Sequence, residues 1–254
     1  MNIQTSPISA FIAGIILYST PLSEAALVDD LVEYWAFDGD LDAGLDDSND
    51  GTLSVTGAAS ATFVTGKFGS AVDLENSTGN QAIIQVGDPG EFAFAGGSMT
   101  ISAWYTTQSL YTSWNALISQ GEGSNWRLAR HGSSATNFKW ASSGPGGVDA
   151  ELDQQDGSWH HVAVTHDTIN GVTMYIDGVA AGTAAAWTLG ASSNIMQIGG
   201  NAGAANRGWD GNIDDVALWS RASTQTEVES IWAGGTGASI ASIITTTPPT
   251  VVNS

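Results

Sequence analysis

Residues 171–184, GVTMYIDGVAAGTA, hold the feature that most narrows what this chain can become. Val172, Met174 and Ile176 alternate with Thr173 and Tyr175, and Asp177-Gly178 follows at once. Successive side chains on a strand point to opposite faces, so this alternation makes one buried face and one outward face. A two-residue type I′ turn needs φ > 0 at both central positions, which Asp tolerates and Gly adopts freely. The segment is therefore a β-hairpin. The same pattern recurs from Leu31 to about Trp219, where short alternating runs are separated by turn clusters such as DDSNDG (46–51), NSTGN (76–80), SSGPGG (142–147) and NAGAANRG (201–208). Short period-2 segments punctuated in this way indicate an all-β sandwich or barrel. Such folds run past 200 residues as one unit. At 42% hydrophobic residues, the 254-residue chain has enough apolar material for a large core.

One helix is predicted, over 223–235. Thr224 and Glu227 have capping-box spacing, Val228, Ile231 and Trp232 form an apolar stripe, and Gly234 supplies a left-handed stop. That stripe should lie on the sandwich.

The two ends differ from the middle. The apolar run from Ile8 to Tyr18 is too short to span a bilayer. Small residues, Ser23 and Ala25, stand at the −3 and −1 positions of a cut after Ala25. Residues 1–25 read as a secretory signal peptide whose n-region has no charge but the terminal amine. After Gly237 charge disappears, Thr and Pro dominate, and Pro248-Pro249 stiffens the chain. The expectation is a domain over 26–236 and, over 237–254, either a linker to further domains of the same chain or a frayed tail.

With 26 acidic and 6 basic residues the net charge is −20. That argues against nucleic acid, whose phosphates need a positive surface, and against anionic membrane surfaces. It suits a secreted or cell-surface protein, or one that gathers cations. The absence of cysteine excludes disulfides and thiolate zinc sites.

Three of the four histidines lie in WHHVAVTH, residues 159–166. On a strand His160, Val162, Val164 and His166 share one face, and Trp159, His161, Ala163 and Thr165 the other. His160 and His166 are then roughly 20 Å apart, so no three histidines converge on one ion. The expected role is structural, with buried rings bonded to the backbone.

Trp159, His161, Val162, Ala163 and Thr165, followed by Tyr175-Ile176-Asp177-Gly178, resemble the laminin-G-like members of the concanavalin A-like lectin/glucanase superfamily. EYWAFDGD (33–40), DDSNDGTL (46–53), GKFGSAVDL (66–74), MTISAWY (99–105) and GNIDDVALWSRASTQTEVESIW (211–232) resemble further signatures in the expected order. The resemblance implies an all-β jelly roll of two antiparallel sheets with one short C-terminal helix. It implies no single function, because lectins, adhesion modules and glycosidases share the fold.

Asp214 is in phase with Val216 and Leu218, which would point it inward at the start of a strand. An unpaired buried carboxylate is costly, and Ca²⁺ is a natural counter-charge. First and last strands neighbour each other in the superfamily and carry a structural Ca²⁺ there, which implies Asp38 as partner, with Asp40 and Asp46 as further candidates. The alternative is that these acids cap turns through backbone N–H groups. Superfamily glycosidases carry E-x-D-x-E or E-x-D-x-x-E on one strand, and retaining hydrolysis needs two carboxylates about 5–5.5 Å apart. The nearest match, Glu151-Leu152-Asp153-Gln154-Gln155, has glutamine in place of the second acid, so no catalytic residue is assigned. Neither G-x-S-x-G nor a phosphate-loop motif is present. Trp35, Trp104, Trp159 and Trp219 are expected in the core, while Trp114, Trp126, Trp140, Trp187 and Trp209 lie near loops or strand ends. Tyr111, Trp114, Arg130 and Trp140 are the expected ligand-facing residues. The sequence thus points to a secreted, non-catalytic module that binds polysaccharide or a glycoprotein glycan. The alternatives are a glycoside hydrolase of the same superfamily or a structural spacer of a larger surface protein.

Overall fold

The alternation in residues 171–184 does become a hairpin, and its two turn residues, Asp177 and Gly178, have φ of 49° and 74°. The computed structural model describes residues 27–122, 125–141, 147–151 and 155–246. Among them the early strands are β1 (Leu31–Trp35), β2 (Thr52–Thr56), β3 (Ser60–Thr65), β4 (Ser70–Glu75), β5 (Gln81–Val86) and β6 (Met99–Tyr105). Next come β7 (Ala116–Ser119), β8 (Arg127–Arg130), β9 (Asn137–Ala141) and β10 (Val148–Glu151). The last are β11 (His160–Asp167), β12 (Gly171–Ile176), β13 (Val179–Ala184), β14 (Met196–Ile198) and β15 (Gly211–Trp219).

They form two antiparallel sheets. One runs β13-β12-β11-β6-β15-β4-β3, with β1 also on β15; the other runs β10-β9-β8-β7-β14-β5-β2. The expected jelly-roll sandwich is therefore present, and first and last strands do pair, Trp35 facing Val216. Period-2 burial explains the layering. In β5, Ala82, Ile84 and Val86 face the core while Gln81, Ile83 and Gln85 face out. In β11, Val162 and Val164 enter the same core.

The outer face of the first sheet is covered as well. Helix α1 (Gln225–Trp232) starts at a complete capping box between Thr224 and Glu227. Its Val228 packs on Ala163 and Tyr175. The left-handed stop is Ala233, with φ of 45°, one residue before the expected Gly234. Gly178 at the hairpin tip lies against Trp232, where a Cβ would come within 2.7 Å of the ring.

From residue 237 to residue 246 the chain stays on the body. Ile240–Thr246 forms helix α2, and Ile240 and Ile243 are buried with Leu27, Ala217, Trp219 and Ile231. Ile240, Ile243 and Ile244 fall at i, i+3 and i+4, a helical stripe that Thr and Pro composition hid. The remainder of the expected tail and the signal segment, 247–254 and 1–25, lie outside the described residues.

Of the three clustered histidines, only His166 is the buried, backbone-bonded ring that was expected. His166 sits in the core between Trp140 and Trp187, with its ring centroid 4.7 Å from that of Trp187. His161 lies on the opposite face, 2.8 Å from the Ser102 hydroxyl and packed on Trp104. His160 lies beside Asp177 and Asp156. The tryptophans differ from expectation. Trp126, Trp140 and Trp209 are fully buried, Trp187 nearly so, and Trp159 is only half-buried. Strand-end position does not decide burial here, because the two sheets close over those ends.

Candidate functional site

Helices pack on part of the outer face of the first sheet, and the outer face of the second carries a polar cross-strand row. Register aligns Gln85 of β5, Gln197 of β14, Ser119 of β7 and Arg127 of β8 in one cross-strand row. Lys139 and Asp149 continue that face on β9 and β10, with Nζ of Lys139 donating to Oδ2 of Asp149 at 3.0 Å.

The 199–208 loop folds against this face. The Ala202 N–H donates to Oγ of Ser119 at 2.6 Å, and the Asn206 N–H donates to Oε1 of Gln81 at 2.9 Å. The result is a cleft of about 220 Å³ lined by Gln81, Ile83, Gln197 and Asn201 and floored by small residues at 203–205. No charged side chain lines it. Beside it, Glu122 pairs with both Arg127 and Arg207. Burial works against the charge of Glu122, but the two guanidinium groups outweigh it and hold the carboxyl below its usual range.

The four residues expected to face a ligand divide two and two. Tyr111 is half-buried, with its hydroxyl beside Gln81 and the Gly208 backbone at the edge of the cleft. Trp114 is half-buried and carries the Arg127 guanidinium 4.3 Å over its ring. Arg130 is not available. Its Nε donates to the Ser134 carbonyl at 2.7 Å, its Nη1 to those of Leu110 and Thr112 at 3.0 and 2.6 Å, and its Nη2 to that of Ser133. Trp140 is not available either, being fully buried and stacked 5.4 Å from Trp126. Strand parity explains both: Leu128, Trp140 and Phe138 point to the core, and Arg130 follows their side at the end of β8.

Sequence reasoning missed Gln81, Ile83, Gln197 and Asn201. The alternation QAIIQV in β5 carried a signal for the first two. Asn201 lay in a stretch read only as a turn.

Of the acids expected to hold calcium, Asp38 and Asp214 both bond to the 66–70 loop. The Phe68 N–H donates to Oδ2 of Asp214 at 2.9 Å and the Ser70 N–H to Oδ1 of Asp38 at 2.7 Å. Asp40 and Asp46 accept from the amides of Asp42 and Ser48. These are the turn caps of the alternative reading. Burial raises the pKa of Asp214 to about 7, and its Oδ1 is buried without a partner. Among the described residues no group of three or more His, Cys, Asp or Glu side chains is placed to hold a metal ion. Ca²⁺ takes six to eight oxygens, so carbonyl and water oxygens would have to complete a site at Asp38 and Asp214. The segment Leu152–Gln154 of the glycosidase-like stretch lies outside the described residues.

A second groove, about 470 Å³, lies on the first sheet near Thr165, Thr173 and the N-cap Thr224. Its one carboxylate, Asp167, is occupied by the amides of Ile169 and Asn170. The amide-lined cleft on the second sheet is therefore the better candidate.

A laminin-G-type profile of the concanavalin A-like lectin/glucanases superfamily matches residues 78–229, well over half of the sequence. The chain belongs to this superfamily. Among solved structures, this superfamily member is similar to domain 4 of AbnA, an extracellular GH43 arabinanase of Geobacillus stearothermophilus, in complex with arabinotriose. The TM-score is 0.64 at 20% identity, covering 82% of this chain and 98% of that domain. It is also similar to the binding domain of Paraclostridial Mosquitocidal Protein 1, with a TM-score of 0.56 at 18% identity over 81% of this chain and 52% of that one. A third similarity is to the binding domain of botulinum neurotoxin DC in complex with SialylT, with a TM-score of 0.61 at 13% identity over 81% and 51%. This superfamily chain thus spans about half the length of the toxin binding domains and nearly all of the arabinanase domain. At these identities the likeness establishes the fold. No curated protein matches the sequence. Among the described residues no helix is long and apolar enough to cross a membrane.

Proposed function

We propose that this protein is an exported, non-catalytic module that binds the glycan of a polysaccharide or glycoprotein on the outer face of its seven-stranded sheet. The observation that carries the reading is the uncharged, amide-lined cleft formed there by Gln81, Gln197 and Asn201. Amides donate and accept at once, as sugar hydroxyls do, and Ile83 offers an apolar patch for C–H groups. The likeness to an arabinanase domain solved with arabinotriose supports the same reading. The −20 net charge accords with an extracellular setting and with a partner other than a polyanion.

The test is retention on a glycan array together with assay of arabinan and β-glucan for reducing ends. Binding without hydrolysis supports the proposal, hydrolysis favours a glycosidase, and neither result leaves a spacer domain. Calcium at Asp38 and Asp214 is a separate proposal, supported by the unpartnered Oδ1 of Asp214. A thermal melt in Ca²⁺ and in chelator tests it, because a bound ion raises the midpoint and equal midpoints remove it.

A further inference from the structure

Asn201 is a buried amide without a protein partner among the described residues. Only 3% of the residue is exposed, and neither its Oδ1 nor its Nδ2 makes a hydrogen bond. Leaving such a group unpaired is costly, so a water or a ligand hydroxyl is expected as its partner. The residue lines the cleft with Gln81, Ile83 and Gln197.

The backbone around Asn201 is held in place before any ligand arrives. The Gly199 N–H donates to the Leu117 carbonyl at 2.7 Å, and Oγ of Ser119 donates to the Gly200 carbonyl at 2.9 Å. The Ala204 N–H donates to the Asn201 carbonyl at 2.9 Å. Gly200 has no room for a side chain: a Cβ there would stand 2.7 Å from Oε1 of Gln197 and 2.7 Å from Cγ2 of Ile83. The glycine lets a polar and an apolar side chain converge beside Asn201. Gly203, with φ of 84°, then turns the loop back.

Resting on the glycan-binding reading, we propose that Asn201 is the orienting residue of a subsite for one neutral sugar unit. Its amide, once turned from its enclosed position toward the cleft, holds two adjacent hydroxyls, donating to one through Nδ2 and accepting from the other through Oδ1. Ile83 meets the C–H face, and Gln81 and Gln197 contact the rim of the ring. The cleft is smaller than the roughly 300–1,000 Å³ typical of drug-sized ligands, which suits a single ring rather than a buried oligosaccharide. No cation lines it to favour a uronate, and Arg207 and Arg127 nearby are already paired with Glu122. Because the loop backbone is pinned in advance, binding rearranges the Asn201 side chain and little else.

The experiment is titration calorimetry of the full chain with arabinotriose, cellotriose and trigalacturonate, repeated for Asn201→Ala and Gln197→Ala. Side-chain amide resonances of the wild type are followed by NMR during the same titrations. The expected result is binding of a neutral trisaccharide, a shift of the Asn201 Nδ2 resonances, and an affinity at least about tenfold weaker in Asn201→Ala at an unchanged melting midpoint. If Asn201→Ala fails to fold, the wild-type amide shift and the loss in Gln197→Ala decide. Neutral-sugar binding with Asn201 resonances unmoved and variant affinities within twofold overturns the subsite and leaves the glycan-binding reading intact. Preference for trigalacturonate overturns the neutral specificity. Absence of any binding to these probes and to a glycan array overturns the reading itself, and the subsite with it.

Discussion

The indole Nε1–H of Trp140 donates to Nδ1 of His166 at 3.2 Å. With Nδ1 an acceptor, Nε2 carries the proton and donates to the Trp187 carbonyl at 2.9 Å. The ring is thereby fixed as a neutral tautomer, and burial lowers its pKa. His161, fully enclosed on the opposite face of the same strand, is pushed by burial down to about 4.

Acid should therefore weaken the fold through these rings. His161 is neutral in both native and unfolded chains above about 6.5, so its contribution is fully present there. As pH falls from about 6.5 toward 4, the unfolded chain takes the proton first, and up to about 3 kcal/mol is lost. His160, raised first by its hydrogen bond to Asp177, acts in the opposite sense: its contribution is present below about 6.5 and is lost as pH rises through its folded value. Comparing urea midpoints of wild type and His161→Gln from about pH 7.5 to about pH 4.5 isolates the first effect. The stability gap between them should narrow with acid, and a gap constant across the range would refute the assignment.

Arg130 and Trp140 should behave as structural residues. Trp140→Ala removes a stacked, fully buried indole and should cost about 3–5 kcal/mol. Arg130→Gln strips donors from four loop carbonyls and should cost about 2 kcal/mol. In denaturant titrations both should lose stability, while folded protein keeps its glycan affinity within about twofold. A selective loss of affinity in either would return that residue to the binding surface.

Gly178→Ala should destabilise the protein by about 1–3 kcal/mol, because a side chain at positive φ is strained and this one would press on Trp232. The melting midpoint reports it directly. A variant as stable as wild type would mean that the hairpin tip and α1 separate at no cost.

Helix α2 should prove integral to the domain. Replacing Ile240 and Ile243 together by Ala should cost at least about 2 kcal/mol and expose the Leu27–Trp219 cluster to a hydrophobic dye. Unchanged stability and no dye binding would reinstate a domain end at residue 236.

What could be read from the sequence was local. The Asp177-Gly178 turn, the Thr224–Glu227 capping box and the division of the histidines across two faces all follow from spacings of a few residues. Arg130 was misread because two of its carbonyl partners, Leu110 and Thr112, lie about twenty positions upstream and meet it only in the fold. Trp140 shared its inward parity with Phe138, but its place near a loop or strand end suggested exposure. Asn201 looked like turn material, since nothing in its neighbours records that Ser119, some eighty positions earlier, anchors the loop. Asp38 and Asp214 were rightly linked by strand order, yet backbone amides of the 66–70 loop, not visible as side-chain letters, are what they hold.

Leu27 at the near end of the described chain and Ile243 toward its far end meet in one apolar cluster on the back of the first sheet. The sugar-sized cleft opens on the back of the other. A partner that docked on this apolar cluster would thus sit on the reverse side of the sandwich from the cleft, leaving that opening turned outward and unobstructed, like a tile fixed by its underside.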